Sequence, residues 1–176
     1  PLEDKPRKAA ETFGLGDFDD PNGWNNEGQW AIRKGGKFVT FRLPNTAGVI
    51  TFQIQQRRGK RLQWFLHYTD ARNHLLFRLD RKSFSSHSVV AGKTTDLRKA
   101  DHKLDSAQTY EVRITVEPDR ITHELKVADR WVAIDAHSEK GVDLSNGKFG
   151  FFVPDGALAG ADEYAIRNFS FTTRPH

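Results

Sequence analysis

Gly147-Lys148-Phe149-Gly150-Phe151-Phe152-Val153-Pro154, a loop of Asp, Gly and Ala, and then Asp162-Glu163-Tyr164-Ala165-Ile166-Arg167-Asn168-Phe169-Ser170-Phe171 form the stretch that decides the fold. Both runs are rich in aromatic residues, which suit a pleated, half-buried surface better than a helix. Phe169 and Phe171 stand two apart, the period of a strand with one face buried. Asp155 and Gly156 supply turn chemistry between the runs. The stretch therefore reads as two strands that complete a β-sheet.

The same period recurs outward from it. Residues 110–117 alternate without a break, with Tyr110, Val112, Ile114 and Val116 inward and Glu111, Arg113, Thr115 and Glu117 on the polar face. Residues 49–56 put Ile50, Phe52 and Ile54 against Thr51, Gln53 and Gln55. In residues 74–80, Leu75, Phe77 and Leu79 point inward and His74, Leu76 and Arg78 outward. Residues 62–68 carry aromatics on both faces, with Trp64, Leu66 and Tyr68 on one and Phe65 and His67 on the other. Residues 81–102, rich in Ser, Lys and Thr around Val89 and Val90, read as one strand between long loops. Roughly a dozen short strands with turn signals every 8 to 12 residues, and no amphipathic helix, are the pattern of an all-β sandwich.

Composition bounds the rest. A chain of 176 residues that is 37% hydrophobic can bury one core. Residues 1–12, polar and holding Pro1 and Pro6, read as a linker or N-terminal arm, and residues 13–174 as a single β-sandwich domain. Without cysteine no disulfide cross-links this fold, so packing must hold it. Net charge is +4, and apart from the tip at residues 56–61 the basic residues are scattered; that argues against nucleic acid, which asks for a basic stripe. No apolar run approaches the roughly 20 residues of a membrane helix, so no membrane insertion is expected. The chain starts at Pro1 and has no Met, so it is expected to be an excised or processed part of a larger protein. Nothing in it names a compartment, although an extracellular or cell-envelope setting is favoured.

The terminal stretch resembles the last two strands of concanavalin A-like jelly rolls, on Gly147 to Phe152 and on Glu163 to Phe171. The similarity extends more weakly through Trp30 to Phe41 and Tyr110 to Asp135, and takes in laminin-G-like, glucanase-like and bacterial 3-keto-disaccharide hydrolase-like domains. It implies a jelly-roll sandwich of two antiparallel sheets. The fold hosts lectins, enzymes and structural modules alike, so function must come from the residues.

A glycosidase needs two carboxylates facing one bond. The Glu-x-Asp-x-x-Glu strand of laminarinase-type enzymes is missing, and Glu111 and Glu117 lie six residues apart on one strand, about 20 Å. No catalytic residue is assigned, and a non-catalytic carbohydrate-binding accessory module is the favoured reading. Its expected ligand-binding residues, on an open sheet face, are Gln53, Gln55, Trp64, His67, Tyr68, His74, Arg78 and Arg113: planar polar groups for hydroxyls, with Trp64 or Tyr68 to stack. Two alternatives stand. One is a glycoside hydrolase-like domain acting on a sugar derivative. The other is a protein-interaction or structural module with no ligand, in the first case presenting Trp24, Trp64 and Trp131. Other domains of a parent chain are expected partners in either case.

No cofactor is expected beyond a structural Ca²⁺, which the resemblance implies near the rim and for which Asp17, Asp19 and Asp162 are candidates. The spacing of His67, His74 and His123 fits no zinc pattern, and His123 shares a face with Ile121 and Leu125, as a hydrogen-bonded core histidine would. Arg167 is expected to pair with a carboxylate such as Glu163, and Asn168 to sit at a bulge.

Overall fold

Strict alternation on the middle strands forces two layers, because each sheet has one apolar face to bury. The computed structural model describes residues 9–102, 109–158 and 160–174, and among them the protein is fourteen strands with two short 3-10 turns and no α-helix. One sheet has the order β12 (Arg130–His137), β11 (Ile121–Val127), β10 (Thr109–Val116), β5 (Gly48–Arg58), β14 (Glu163–Thr173), β3 (Trp30–Lys34), β2 (Asn25–Glu27), with β1 (Thr12–Phe13) also paired to β14. The other runs β4 (Lys37–Thr40), β13 (Lys148–Val153), β6 (Leu62–Asp70), β7 (Asn73–Leu79), β8 (Ser83–Val90), β9 (Lys93–Asp101). All pairings are antiparallel, and the architecture is a jelly-roll sandwich.

The two runs that announce the fold thus lie in opposite sheets. Their inward aromatics meet in the core: Phe151 packs near Phe52 and Phe169, and Phe149 near Phe151, at ring-centroid distances of 5.2 Å to 6.3 Å. Ile50, Phe52, Ile54, Val112, Ile114 and Val116 are all buried, as their alternation requires. Trp64 is fully buried too, and its indole N–H donates to Nε2 of the core residue His123 at 2.9 Å. Tyr164 crosses the sandwich the other way: its hydroxyl accepts from the Gln63 N–H and faces the carbonyls of Phe152 and Arg61.

Residues 81–102 hold two strands rather than one. β9 forms the edge, is exposed along most of its length, and so has no apolar face for the period to reveal. A bulge against β8, between Ser86 and His87, separates the neighbours of Leu97: Asp96 pairs outward with His87, while Arg98 turns toward the other sheet and binds the Asp135 carboxylate of β12. Thr12, expected within the arm, already pairs with Thr172, and most of the expected arm lies outside the described residues.

Candidate functional site

The outer face of the six-stranded sheet is built by one irregularity. His67 has φ +55°, and a register shift follows Leu66, so Tyr68 leaves the Trp64 and Leu66 side and joins Phe65 on the outer face. Gly147 accommodates this bulge: a Cβ there would lie 2.6 Å from the His67 carbonyl carbon and 2.7 Å from the Tyr68 nitrogen. The His67 Nδ1–H donates to the Asn146 carbonyl, fixing the ring at the sheet margin.

Above that bulge lies an aromatic layer outside the core. Phe38 sits 5.0 Å from Phe152, 5.5 Å from Phe65 and from Tyr68, and 5.3 Å from the His74 ring, centroid to centroid. Phe65 and His74 are buried, whereas Phe38, Tyr68 and Phe152 are half-buried and offer ring surface. Burial lowers the His74 pKa, against the opposing influence of Asp70, and so favours the neutral imidazole.

Polar residues continue the face across the strands. Cross-strand register aligns Gln63, Arg78, Ser85 and Lys99, and alongside them Phe65, Leu76, His87 and Asp96. Arg78 Nε donates to Gln63 Oε1 at 2.9 Å. His87 donates from Nδ1 to Asp96 Oδ1 at 2.7 Å, which leaves Nε2 to accept from Ser85 Oγ at 2.9 Å. Arg78, Ser85, His87, Asp96 and Lys99, together with Arg61, Asp80 and Arg98, line a groove of about 440 Å³, within the range of small-ligand sites. A larger cavity of about 780 Å³ opens at the rim beside Arg57, Leu79 and Tyr110; residues 103–108, which precede this wall, are not described, so the groove is the better-defined surface.

The eight expected ligand residues therefore do not share a face. Tyr68, His74 and Arg78 lie on the outer side of the six-stranded sheet, with His67 at its margin. Gln53, Gln55 and Arg113 lie on the opposite surface of the molecule, on β5 and β10. Trp64 belongs to neither: it is buried in the core and is not available for stacking. The Trp cluster expected of a protein-interaction surface is likewise dispersed, because Trp24 packs on Phe18 and under Arg33, and Trp131 lies beneath Arg113.

On that opposite surface the charges satisfy one another. Arg113 forms two hydrogen bonds with Glu124 at 2.8 Å and 2.9 Å, and Lys126 pairs with Glu111. Arg167 binds Gln53 and stacks 4.3 Å from the Trp30 ring centroid rather than pairing with Glu163. Asn168 does sit at a bulge, with φ +54°.

The three candidate calcium ligands do not converge. Asp17 binds the Gly14 N–H and Arg42, and Asp19 binds Thr40 and Lys148. Burial works against ionisation of Asp19, yet those hydrogen bonds hold its pKa below the ordinary value. Asp162 stands apart, close to Gly59 and in the field of Arg58 and Arg61. Among the described residues no group of three or more His, Cys, Asp or Glu is arranged to hold a metal ion. The donor set does not fit calcium.

No protein-family model matches the chain, and no curated protein matches it. Solved structures do. The chain is similar to the carbohydrate-binding module CBM66 from Bacillus subtilis, at 16% identity and TM-score 0.62, over 94% of this chain and 97% of that one. It is similar to the galectin LEC-6 from Caenorhabditis elegans, at 8% identity and TM-score 0.54, over 92% and 99%. A xylan β-1,4-xylosidase from Bacillus halodurans C-125 matches at 10% identity and TM-score 0.63, with 99% of this chain covering 40% of that enzyme. The chain has the concanavalin A-like jelly-roll fold. Identities this low establish the fold alone.

On this concanavalin A-like scaffold, sequence reasoning missed Phe38, Phe152, Gln63, Ser85, His87 and Asp96. The first two sit in strands apolar on both faces. The Ser85–His87 pair did carry a signal, since two polar groups at strand period share a face.

Proposed function

We propose that this domain is a non-catalytic, lectin-like carbohydrate-binding module, an accessory part of a larger protein, whose ligand lies across the outer face of the six-stranded sheet. One observation carries the reading: Arg78 and Ser85 offer hydrogen-bonding groups in a groove, and Gln63, bonded to Arg78, lies on the same sheet face as the half-buried phenyl rings Phe38 and Phe152. A pyranose has an apolar face and a girdle of hydroxyls, and this surface offers a partner for each. The likeness to CBM66 and to a galectin supports the reading at the level of the scaffold.

A glycan array probed with the purified domain tests it, with His74→Ala/Arg78→Ala against Gln53→Ala/Gln55→Ala. Binding that is lost in the first double variant and kept in the second is expected. Loss only in the second would move the site to the face of the eight-stranded sheet, and a blank array from folded protein would refute carbohydrate binding.

A second reading, hydrolysis of an ester on a sugar derivative, has its own observation in the Ser85–His87–Asp96 contacts. In such a step Ser85 Oγ would attack the ester carbonyl while His87 Nε2 takes its proton; the proton then leaves with the alcohol, and water releases the acyl group from Ser85. The Asp96 side chain is 89% exposed, so a hydrated carboxylate would do little to stabilise an imidazolium. Binding is accordingly the favoured reading. Ester turnover abolished by Ser85→Ala would reverse that order.

A further inference from the structure

We propose that the groove selects an acidic glycan, a sugar bearing a ring carboxylate, with Arg78 as its principal contact and Arg61 and Lys99 beside it. This rests on the reading of that face as carbohydrate-binding and names the ligand class.

The argument is a charge imbalance confined to one face. The groove is lined by Arg61, Arg78, Arg98 and Lys99 against Asp80 and Asp96. Both carboxylates are engaged by the protein: Asp80 accepts from the N–H groups of Lys82 and Ser83, and Asp96 from His87. Arg98 is committed to Asp135. Among the described residues Arg61, Arg78 and Lys99 form no salt bridge.

Arg78 is the informative member. It is half-buried, and its only side-chain hydrogen bond among the described residues runs from Nε to the neutral Gln63 amide. Among the described residues neither Nη group has a hydrogen-bond partner, and Arg78 lines the groove, so its planar fork is open to a carboxylate. Burial first and then the like charge of Arg61 disfavour its protonated form, the charge of Asp96 offsets part of this, and an incoming anion would relieve the rest. On the eight-stranded sheet Arg113, Lys126 and Arg57 each pair with a glutamate, whereas Arg167, like Arg78, bonds a neutral amide, and it also stacks on Trp30. Three of four named cations are paired with carboxylates on one surface, and three cations without a salt bridge meet in a groove on the other, the arrangement of an anion site.

Isothermal titration of the whole domain with a panel of oligouronates, their methyl esters, neutral oligosaccharides of the same linkage, and a sulfated glycan tests this. The acids are expected to bind, to weaken with added salt, and to lose at least about tenfold in affinity on esterification, as loss of a charge-assisted pair implies. Arg78→Gln should reduce binding of the acids by a similar factor. The exposed Lys99→Gln, which leaves the fold undisturbed, should reduce it less. Equal affinity for acid and ester, or acid binding unchanged in both variants, overturns the assignment. Binding of the sulfated glycan alone overturns the carboxylate. Silence from every sugar, neutral ones included, overturns the carbohydrate reading itself, whereas binding of neutral sugars alone overturns only the acidic class.

Discussion

The indole N–H of Trp64 in β6 donates to Nε2 of His123 in β11, a 2.9 Å hydrogen bond across the middle of the sandwich between two fully buried side chains. Since Trp can only donate, His123 must carry its proton on Nδ1, and that N–H has no partner among the described residues. The histidine is thus held neutral.

This arrangement makes stability depend on acid. Burial first, then the charges of Arg98 and His137, lower the His123 pKa to about 3 from its ordinary 6.5. Between those values the unfolded chain binds a proton that the folded one refuses, so the contribution is complete above about pH 6.5 and drains away as pH falls toward 3. Acidification from pH 6.5 to 4.5 is expected to remove about 2–3 kcal/mol through this group. Urea titrations across that range, in the wild type and in His123→Gln, check it; parallel pH profiles for the two would contradict the assignment.

Gly150 should not tolerate a methyl group. It lies opposite Phe65 in β6 and Thr40 in β4, and a Cβ there would collide with the Phe65 ring and the Val39 carbonyl oxygen. Gly150→Ala is expected to cost about 2 kcal/mol, a fall of roughly 4–8 °C in Tm for a domain of this size. An unchanged melting temperature would show that the Phe65 ring does not rest on this glycine.

What the sequence shows follows from where water lies. β5 and β10 each have one core face and one wet face, so Ile50, Phe52, Val112 and Ile114 declare themselves by alternation. β6 is buried on both faces over Leu62–Leu66, which leaves period alone unable to say whether Trp64 or Phe65 points into the core. The left-handed backbone at His67 then reverses the parity of Tyr68, a local conformation that composition does not encode. The polar faces of β5 and β7 look alike in sequence. Only the pairing order puts Gln53 and Arg78 on opposite surfaces of the molecule.

Tyr164 should act as a tie between the sheets. Its hydroxyl is the acceptor for the buried Gln63 N–H and lies 2.8 Å from the Phe152 carbonyl oxygen, directly behind the groove. Burial raises its pKa far above the ordinary phenol value, so it remains a hydrogen-bonding neutral group throughout the physiological range. Tyr164→Phe leaves that N–H unsatisfied and is expected to cost about 1–3 kcal/mol. Chemical denaturation measures the loss, and glycan affinity should fall with it, because the same N–H belongs to the residue that orients Arg78. Weakened stability with unaltered affinity would separate the tie from the groove.

The open side of the sandwich, where β9 meets β12, is bridged by charge beside the partly buried Leu97 and Ile134. Arg98 reaches across to Asp135 with two hydrogen bonds, of 2.7 Å and 3.1 Å, and also donates to His137 Nδ1 at 3.0 Å. The Asp135 side chain is only 5% exposed against 39% for Arg98, so losing the arginine strands a buried carboxylate. Arg98→Ala is expected to cost about 2 kcal/mol, less than a fully buried pair because Arg98 itself stays partly hydrated. Asp135→Asn in the Arg98→Ala background should recover most of that loss, since it removes the stranded charge. Thermal denaturation of the two single variants and the double variant decides the matter. Additive losses would mean that Arg98 and Asp135 act independently and that β9 is held to β12 by something else.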